Sequence, residues 1–345
     1  GAGIRRLHAA ARLSRAEVAC AYNHIMQKLR DFLGLIRFEH TIFALPFAFA
    51  AAMAAQMWVN APISARPLRL FAQSMKLDAL AHGNIRSLPA LPGVFPSAYD
   101  LVFILIAMVA GRTLAMLANR IIDARIDAAN PRTASRHIPA GRVSIAQAQA
   151  WAAVAAAVFF LSALALNLTC FFLALPAAFV LILYPFAKRY TPLAHYALGF
   201  AQAIAPAGVF LAITGTLSWE ILPLAAAVGI WIGSFDIYYA LQDVDVDRAQ
   251  GIHSLPARIG AERAMWIALA GHIVTGALLI WNARIFLLGD AVAAATIAFT
   301  ALLVVEHFIV KLKPKLIGVA FFTLNGVLSV AYALVVLASR IAAPF

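Results

Sequence analysis

Six of the chain's fifteen acidic residues fall in two short stretches. The first reads Asn119-Arg-Ile-Ile-Asp123-Ala-Arg-Ile-Asp127, and the second Asp236-Ile-Tyr-Tyr239-Ala-Leu-Gln-Asp243-Val-Asp245-Val-Asp247. Asn119, Asp123 and Asp127 are spaced i, i+4 and i+8, which puts them on one face of a helix. Asp236, Tyr239, Asp243 and Asp247, at i, i+3, i+7 and i+11, make a second stripe. Asp245 falls off that stripe, in solvent or at a helix end. Two carboxylate stripes facing each other repel unless cations lie between them. Magnesium, held by a few carboxylates together with substrate phosphates, meets that requirement. A calcium loop at Asp243-x-Asp245-x-Asp247 is excluded, because it needs Gly where Arg248 stands and Glu where Ser254 stands.

A diphosphate between such stripes needs further positive charge, and arginine forks match phosphate oxygens. The segment Asn130-Pro-Arg132-Thr-Ala-Ser-Arg136-His-Ile-Pro-Ala-Gly141-Arg142 follows the first cluster directly and has turn chemistry at Pro131, Pro139 and Gly141. Arg132 and Arg136 are expected above the first stripe. Lys188 and Arg189 form a second candidate pair for the diphosphate. Arg37 and His40, in Ile36-Arg-Phe-Glu-His-Thr-Ile-Phe-Ala-Leu-Pro46, are candidates for holding an acidic aromatic substrate. A snorkelling interfacial arginine explains Arg37 equally well. Gln202 and Asn325 are polar groups in apolar surroundings, as interhelical hydrogen bonds require.

The elements that must position these residues are membrane helices. The hydrophobic fraction is 63% and the charged fraction 12%, about half the charged share of a soluble domain. Mean hydropathy is +0.86. Apolar runs of about 20 residues, enough for one crossing, recur along the chain. Nine are expected, near 38–59, 99–119, 145–166, 168–187, 193–215, 220–241, 262–283, 286–310 and 316–339. The fold class is therefore all-α and integral to the membrane, a nine-helix bundle formed by residues 38–345. Residues 1–37 read as a basic cytosolic arm ending in an interfacial helix, without the apolar core and cleavage site of a signal peptide. A long outer loop covers 60–98, with a short amphipathic helix expected near Leu68–Leu80.

Charge sets the expected sidedness. Twenty of the twenty-seven Lys and Arg residues fall in 1–37 and in alternate connections from 120–144 onward. That asymmetry puts the N-terminus and both acidic clusters on the cytosolic side of the cell membrane and the C-terminus outside. The net charge of +12 is thereby a matter of topology, and no arginine–aromatic patches suggest nucleic acid. Cys20 and Cys170 define neither a disulfide framework nor a zinc site. Asp236 lies between the apolar runs Val228–Phe235 and Ile237–Leu241 and so belongs inside a helix. A carboxylate deep in a membrane costs about 2.5–3.5 kcal/mol on insertion scales, so it needs a partner or a function.

The paired clusters resemble the two Asp-rich motifs of the UbiA superfamily of membrane prenyltransferases. Gly111-Arg-Thr-Leu-Ala-Met through Gly141, Ser234-Phe-Asp236 through Gly260, and the Arg37–Pro46 segment are similar to its 4-hydroxybenzoate polyprenyltransferase-like branch, which includes the prenyltransferase of the futalosine route to menaquinone. The resemblance implies nine helices around a central cavity, with magnesium at a cytosolic mouth. It implies Asn119, Asp123, Asp236 and Asp243 as the core ligands of magnesium and diphosphate, supported by Asp127 and Asp247. Many members carry Asp directly after the motif Asn. Here Arg120 stands there, which removes one possible ligand.

The expected reaction is transfer of a polyprenyl group from polyprenyl diphosphate to an aromatic acid, 4-hydroxybenzoate or a dihydroxynaphthoate. Asp123, Asp236, Asp243 and Tyr239 are the candidate catalytic residues. Rival readings are a same-fold transferase acting on haem, chlorophyllide or a sugar phosphate, and a cation-coupled transporter. The transporter reading is disfavoured because both clusters end spans on one side and no inverted repeat is visible.

Overall fold

The computed structural model describes residues 15–36, 44–60 and 95–342. Arg37, His40 and the expected Leu68–Leu80 helix lie outside the described residues. Every regular element among the described residues is helical. α1 (Arg15–Ile36) precedes α2 (Ala44–Asn60). Next among the described residues come α3 (Ala98–Ile122), the short α4 (Ala124–Ala129), α5 (Ile145–Leu166) and α6 (Leu168–Leu183). The 3-10 turn Tyr184–Arg189 leads to α7 (Ala194–Thr214) and α8 (Leu222–Ala240). Short α9 (Val244–Ala249) and α10 (Leu255–Ile259) precede α11 (Ala261–Ile285) and α12 (Asp290–Leu312), and α13 (Asn325–Ala342) ends the bundle.

Eight helical spans among the described residues are long and apolar enough to cross a membrane. α2, 17 residues long, lies at the position of the first of the nine expected spans. The sequence supplies clear stops. Ser97 caps α3 through the Asp100 N–H, and Ser144 with Gln147 forms a capping box on α5. Asn167, in extended conformation, separates α5 from α6 and caps the latter through the Cys170 N–H at 2.7 Å. Pro176 and Pro206 sit inside α6 and α7, as bundles permit. Large apolar side chains such as Leu161, Phe179 and Phe200 point outward, the pattern of a helix bathed in lipid.

Packing inside the bundle depends on both large and absent side chains. Phe47 of α2, Trp231 of α8, Phe299 of α12 and Tyr332 of α13 form one aromatic cluster. α7 and α8 approach almost backbone to backbone, since a Cβ on Gly199 would fall 2.1 Å from the Gly229 carbonyl oxygen. This contact fixes the pair of helices that carries half of the candidate site.

The structure corrects the two continuous stripes. α3 ends at Ile122, and Asp123 sits at φ −90° and ψ 4° between α3 and α4. α8 ends at Ala240, and Leu241–Asp243 is a 3-10 turn before α9. Periodicity therefore set which residues are near one another, but each helix breaks where a carboxylate turns to meet a basic partner.

Candidate active site

The ends of α3 and α8, the 130–144 connection, the 3-10 turn and the start of α7 meet at one end of the bundle. They enclose a cavity of about 330 Å³. Asn119, Asp123, Asp127, Asp236, Tyr239, Asp243 and Asp247 all line it, together with Arg132, Arg136 and Lys188. Arg189 reaches the same site from behind, donating to the Ile122 carbonyl at 2.6 Å and standing 3.7 Å from Asp123. Asp245 points away and is fully exposed, as its position off the stripe predicts.

Four of the five lining carboxylates, Asp123, Asp127, Asp236 and Asp243, have a basic partner. Asp123, buried at the α3–α4 break, accepts a hydrogen bond from Lys188 Nζ at 2.6 Å. Burial holds the Asp123 carboxyl above the ordinary carboxylate range, and Lys188 counteracts part of that shift. Asp127 accepts from Arg136 Nη1 at 2.6 Å and lies 3.8 Å from Arg120. Arg120 is buried and also donates to the Leu35 carbonyl at the end of α1. It braces Asp127 against α1.

Arg132 does not sit over the first cluster, as the sequence suggested, but grips the second. Its fork donates to both oxygens of Asp243, with Nε at 2.8 Å from Oδ1. Its Nη1 donates to the Tyr239 hydroxyl at 3.0 Å, and the guanidinium lies 5.1 Å from the Tyr239 ring centre. Asn130 adds a hydrogen bond to Asp243 Oδ1 at 3.0 Å. The connection after the first cluster thus closes onto the second. Asp236 lies inside α8 and contacts His195 of α7 at 2.7 Å. Sequence reading missed His195. It stands alone at a span boundary, 41 residues from Asp236, with no spacing to mark it.

The donor set suits a hard divalent cation. All the acidic groups offer oxygen, and Asp123 Oδ1 and Asp127 Oδ2 are buried without a hydrogen-bond partner. Among the described residues no three acidic or histidine side chains enclose a cation on their own. A cation held between the two clusters would therefore draw further oxygens from a bound phosphate.

Behind the polar cavity lies an apolar chamber of about 270 Å³ between α3, α5, α6 and α7. Arg112, Ala115 and Gln202 line both spaces, so the two are contiguous. Gln202, flagged in the sequence as a lone polar group, is at this junction. Asn325 lies elsewhere, accepting from Trp231 Nε1 at 3.0 Å and donating to Glu306 at 2.9 Å. It is an interhelical link within the bundle.

The sequence pattern of the UbiA prenyltransferase family matches residues 87–327. A 4-hydroxybenzoate octaprenyltransferase of Stutzerimonas stutzeri is 31% identical over 241 residues, covering 66% of this chain and 81% of that protein. One from Vibrio campbellii is 26% identical over 266 residues, covering 73% and 91%. The apo structure of a UbiA homologue from Aeropyrum pernix superimposes with a TM-score of 0.68 at 28% identity, over 89% of this chain and 98% of that one. A homologue from Archaeoglobus fulgidus, solved with GPP and Mg2+, shares the fold at a TM-score of 0.58 and 19% identity, over 89% and 99%.

Proposed function

This chain belongs to the UbiA prenyltransferase family, and from that premise we propose that it is a magnesium-dependent aromatic prenyltransferase, moving a polyprenyl group from polyprenyl diphosphate to an aromatic acid. The acceptor is 4-hydroxybenzoate or a dihydroxynaphthoate, in ubiquinone or menaquinone biosynthesis. One observation carries the reading: two acidic clusters and five basic side chains (Arg112, Arg120, Arg132, Arg136 and Lys188) share one cavity that continues into an apolar chamber. The polar space fits a diphosphate and the chamber fits an isoprenoid tail. The names of the curated relatives and the GPP and Mg2+ bound by the Archaeoglobus homologue point the same way.

In this reading Asn119, Asp123, Asp236 and Asp243 hold magnesium, with Asp127 and Asp247 in support. Bound there, magnesium supplies Lewis-acid neutralisation of the charge that grows on the departing diphosphate. Arg132, Arg136, Lys188 and Arg189 hold the phosphate oxygens through charge-assisted hydrogen bonds. They are already oriented by the carboxylates, so little reorganisation is needed as the allylic C–O bond breaks. Tyr239 and Phe235 line the cavity and shelter the electron-poor allylic carbon from water. The aromatic ring then forms the new C–C bond and releases a proton. The role of Arg37 and His40 toward the acceptor carboxylate rests on the sequence alone. The mouth of the cavity faces the cytosol, with the N-terminus on that side of the cell membrane.

The test is an assay in membranes with polyprenyl diphosphates, magnesium and a panel of phenolic and naphthoic acids. Diphosphate release with 4-hydroxybenzoate or a dihydroxynaphthoate, abolished by chelation of magnesium, is the expected result. No release with any of these acids would overturn the reading.

A further inference from the structure

His195 sits in the first turn of α7 and is 5% exposed. Its Nδ1 lies 2.7 Å from Asp236 Oδ2. The backbone N–H of Leu255 donates to its Nε2 at 3.3 Å. A backbone N–H can only donate, so Nε2 is the acceptor and the ring proton of neutral imidazole lies on Nδ1. The hydrogen bond therefore runs from Nδ1–H to the carboxylate. With its Nε2 lone pair engaged by the Leu255 N–H, the ring is placed to hold a carboxylate through Nδ1.

Two features build this contact. The first is the close approach of α7 to α8. A Cβ on Gly233 would stand 2.6 Å from the Tyr196 ring and 3.2 Å from the His195 carbonyl, so larger residues would push His195 away from Asp236. The second is the segment after the second cluster. The Ile252 N–H donates to the Asp247 carbonyl, and the His253 N–H donates to the Lys188 carbonyl, both at 2.8 Å. The segment that carries the Leu255 donor thus also braces Asp247 and the residue paired with Asp123.

We propose that His195 is the positioning residue of the second acidic cluster: its Nδ1–H fixes one oxygen of Asp236 and leaves the other for the cation. The inference rests on the metal–diphosphate reading of the cavity. It follows the general behaviour of groups behind metal ligands, whose hydrogen bonds set the orientation of the ligand and whose loss weakens metal binding about tenfold to a hundredfold.

The experiment uses the purified full chain in detergent, with Mn2+ as probe, read by electron paramagnetic resonance with inorganic pyrophosphate present. His195→Asn keeps an N–H where Nδ1 stands. His195→Gln keeps an acceptor near Nε2 but loses that donor, and His195→Leu loses both. Mn2+ affinity should stay within about threefold of the parent in His195→Asn and fall about tenfold or more in His195→Gln and His195→Leu. The Mg2+ concentration for half-maximal activity should rise in parallel, with the KM for the aromatic acid unchanged. Parent-like Mn2+ binding in His195→Gln would overturn the proposal, even if His195→Leu fails to fold. Asp236→Asn separates the two readings. If it too binds Mn2+ as the parent does, the cation site itself is wrong; if it alone loses binding, only the role of His195 is.

Discussion

Asp123 and Asp243 illustrate what single residues must do in this site. Each is drawn into the wall of the cavity by a basic partner, Lys188 in one case and Arg132 in the other. Replacing either carboxylate by Ala would remove a proposed cation ligand and free the base that it orients. Asp123→Ala and Asp243→Ala should each lower kcat about a hundredfold to a thousandfold, the range seen when a preorganised charge-stabilising group is lost. Full activity in both variants would discard the metal assignment. Arg132→Lys is a finer probe. It keeps the charge but loses the fork that spans Asp243 and Tyr239. The apparent KM for the prenyl diphosphate should rise roughly tenfold or more, the value of one to two charge-assisted hydrogen bonds. An unchanged KM would show that Arg132 serves only to brace Asp243. At this scale the sequence was informative, because carboxylates are few, fifteen in 345 residues, and six of them gather in two stretches. It paired Arg132 with the wrong cluster, since partners across a fold depend on distances that spacing does not encode. It passed over His195 for the same reason.

Two glycines of the apolar chamber show how elements set specificity. Gly208 of α7 lines the chamber, and a Cβ there would meet no atom within 4 Å. Gly111 of α3 also lines it, but a Cβ there would stand 3.2 Å from the Phe159 ring. A larger side chain at 208 therefore enters open space, whereas one at 111 presses on α5. Gly208→Leu should fold normally and shift the product toward shorter tails, measured by mass spectrometry with a series of prenyl diphosphates. Gly111→Leu should lower thermal stability, by about 1–3 kcal/mol for overpacking. If Gly208→Leu leaves the range of accepted chain lengths unchanged, the tail does not occupy this chamber. The positions of most long helices were legible in the sequence to within a few residues, because lipid demands long uninterrupted apolar runs; the last differs, since a π-helical turn at Ala320–Leu324 delays its regular α-helix to Asn325. The breaks at Asp123 and at Leu241–Asp243 were not, because helical periodicity continues through both.

For the whole molecule the testable property is sidedness. Ser135 lies in the exposed connection at the cavity end, and Asp290 is exposed at the start of α12, one long helix away. A membrane-impermeant maleimide applied to intact cells should label Asp290→Cys in a background lacking Cys20 and Cys170. Ser135→Cys should be labelled only after lysis. The opposite pattern would invert the topology and place the cavity outside the cytosol. α1 belongs to this scale too. Tyr22, Met26, Leu29 and Leu33 form an exposed apolar row, while Phe32 packs edge-on against Trp151 at 5.1 Å. α1 thus packs on the bundle through one face and leaves an apolar row uncovered on another.

By itself the sequence determined the class of protein, its succession of long apolar helices and the two acidic clusters. Those properties depend on composition and on contacts a few residues apart, where the hydrophobic thickness of a bilayer and the pitch of a helix are fixed quantities. The tertiary structure alone decided which base faces which acid: Lys188 on Asp123, Arg136 and Arg120 on Asp127, Arg132 on Asp243 and His195 on Asp236. These pairs span up to 111 residues and exist only because α7 and α8 meet through Gly199 and Gly229 and the connecting segments fold back over one end of the bundle. An ion pair is a matter of ångströms, and no pattern along the chain specifies ångströms between helices.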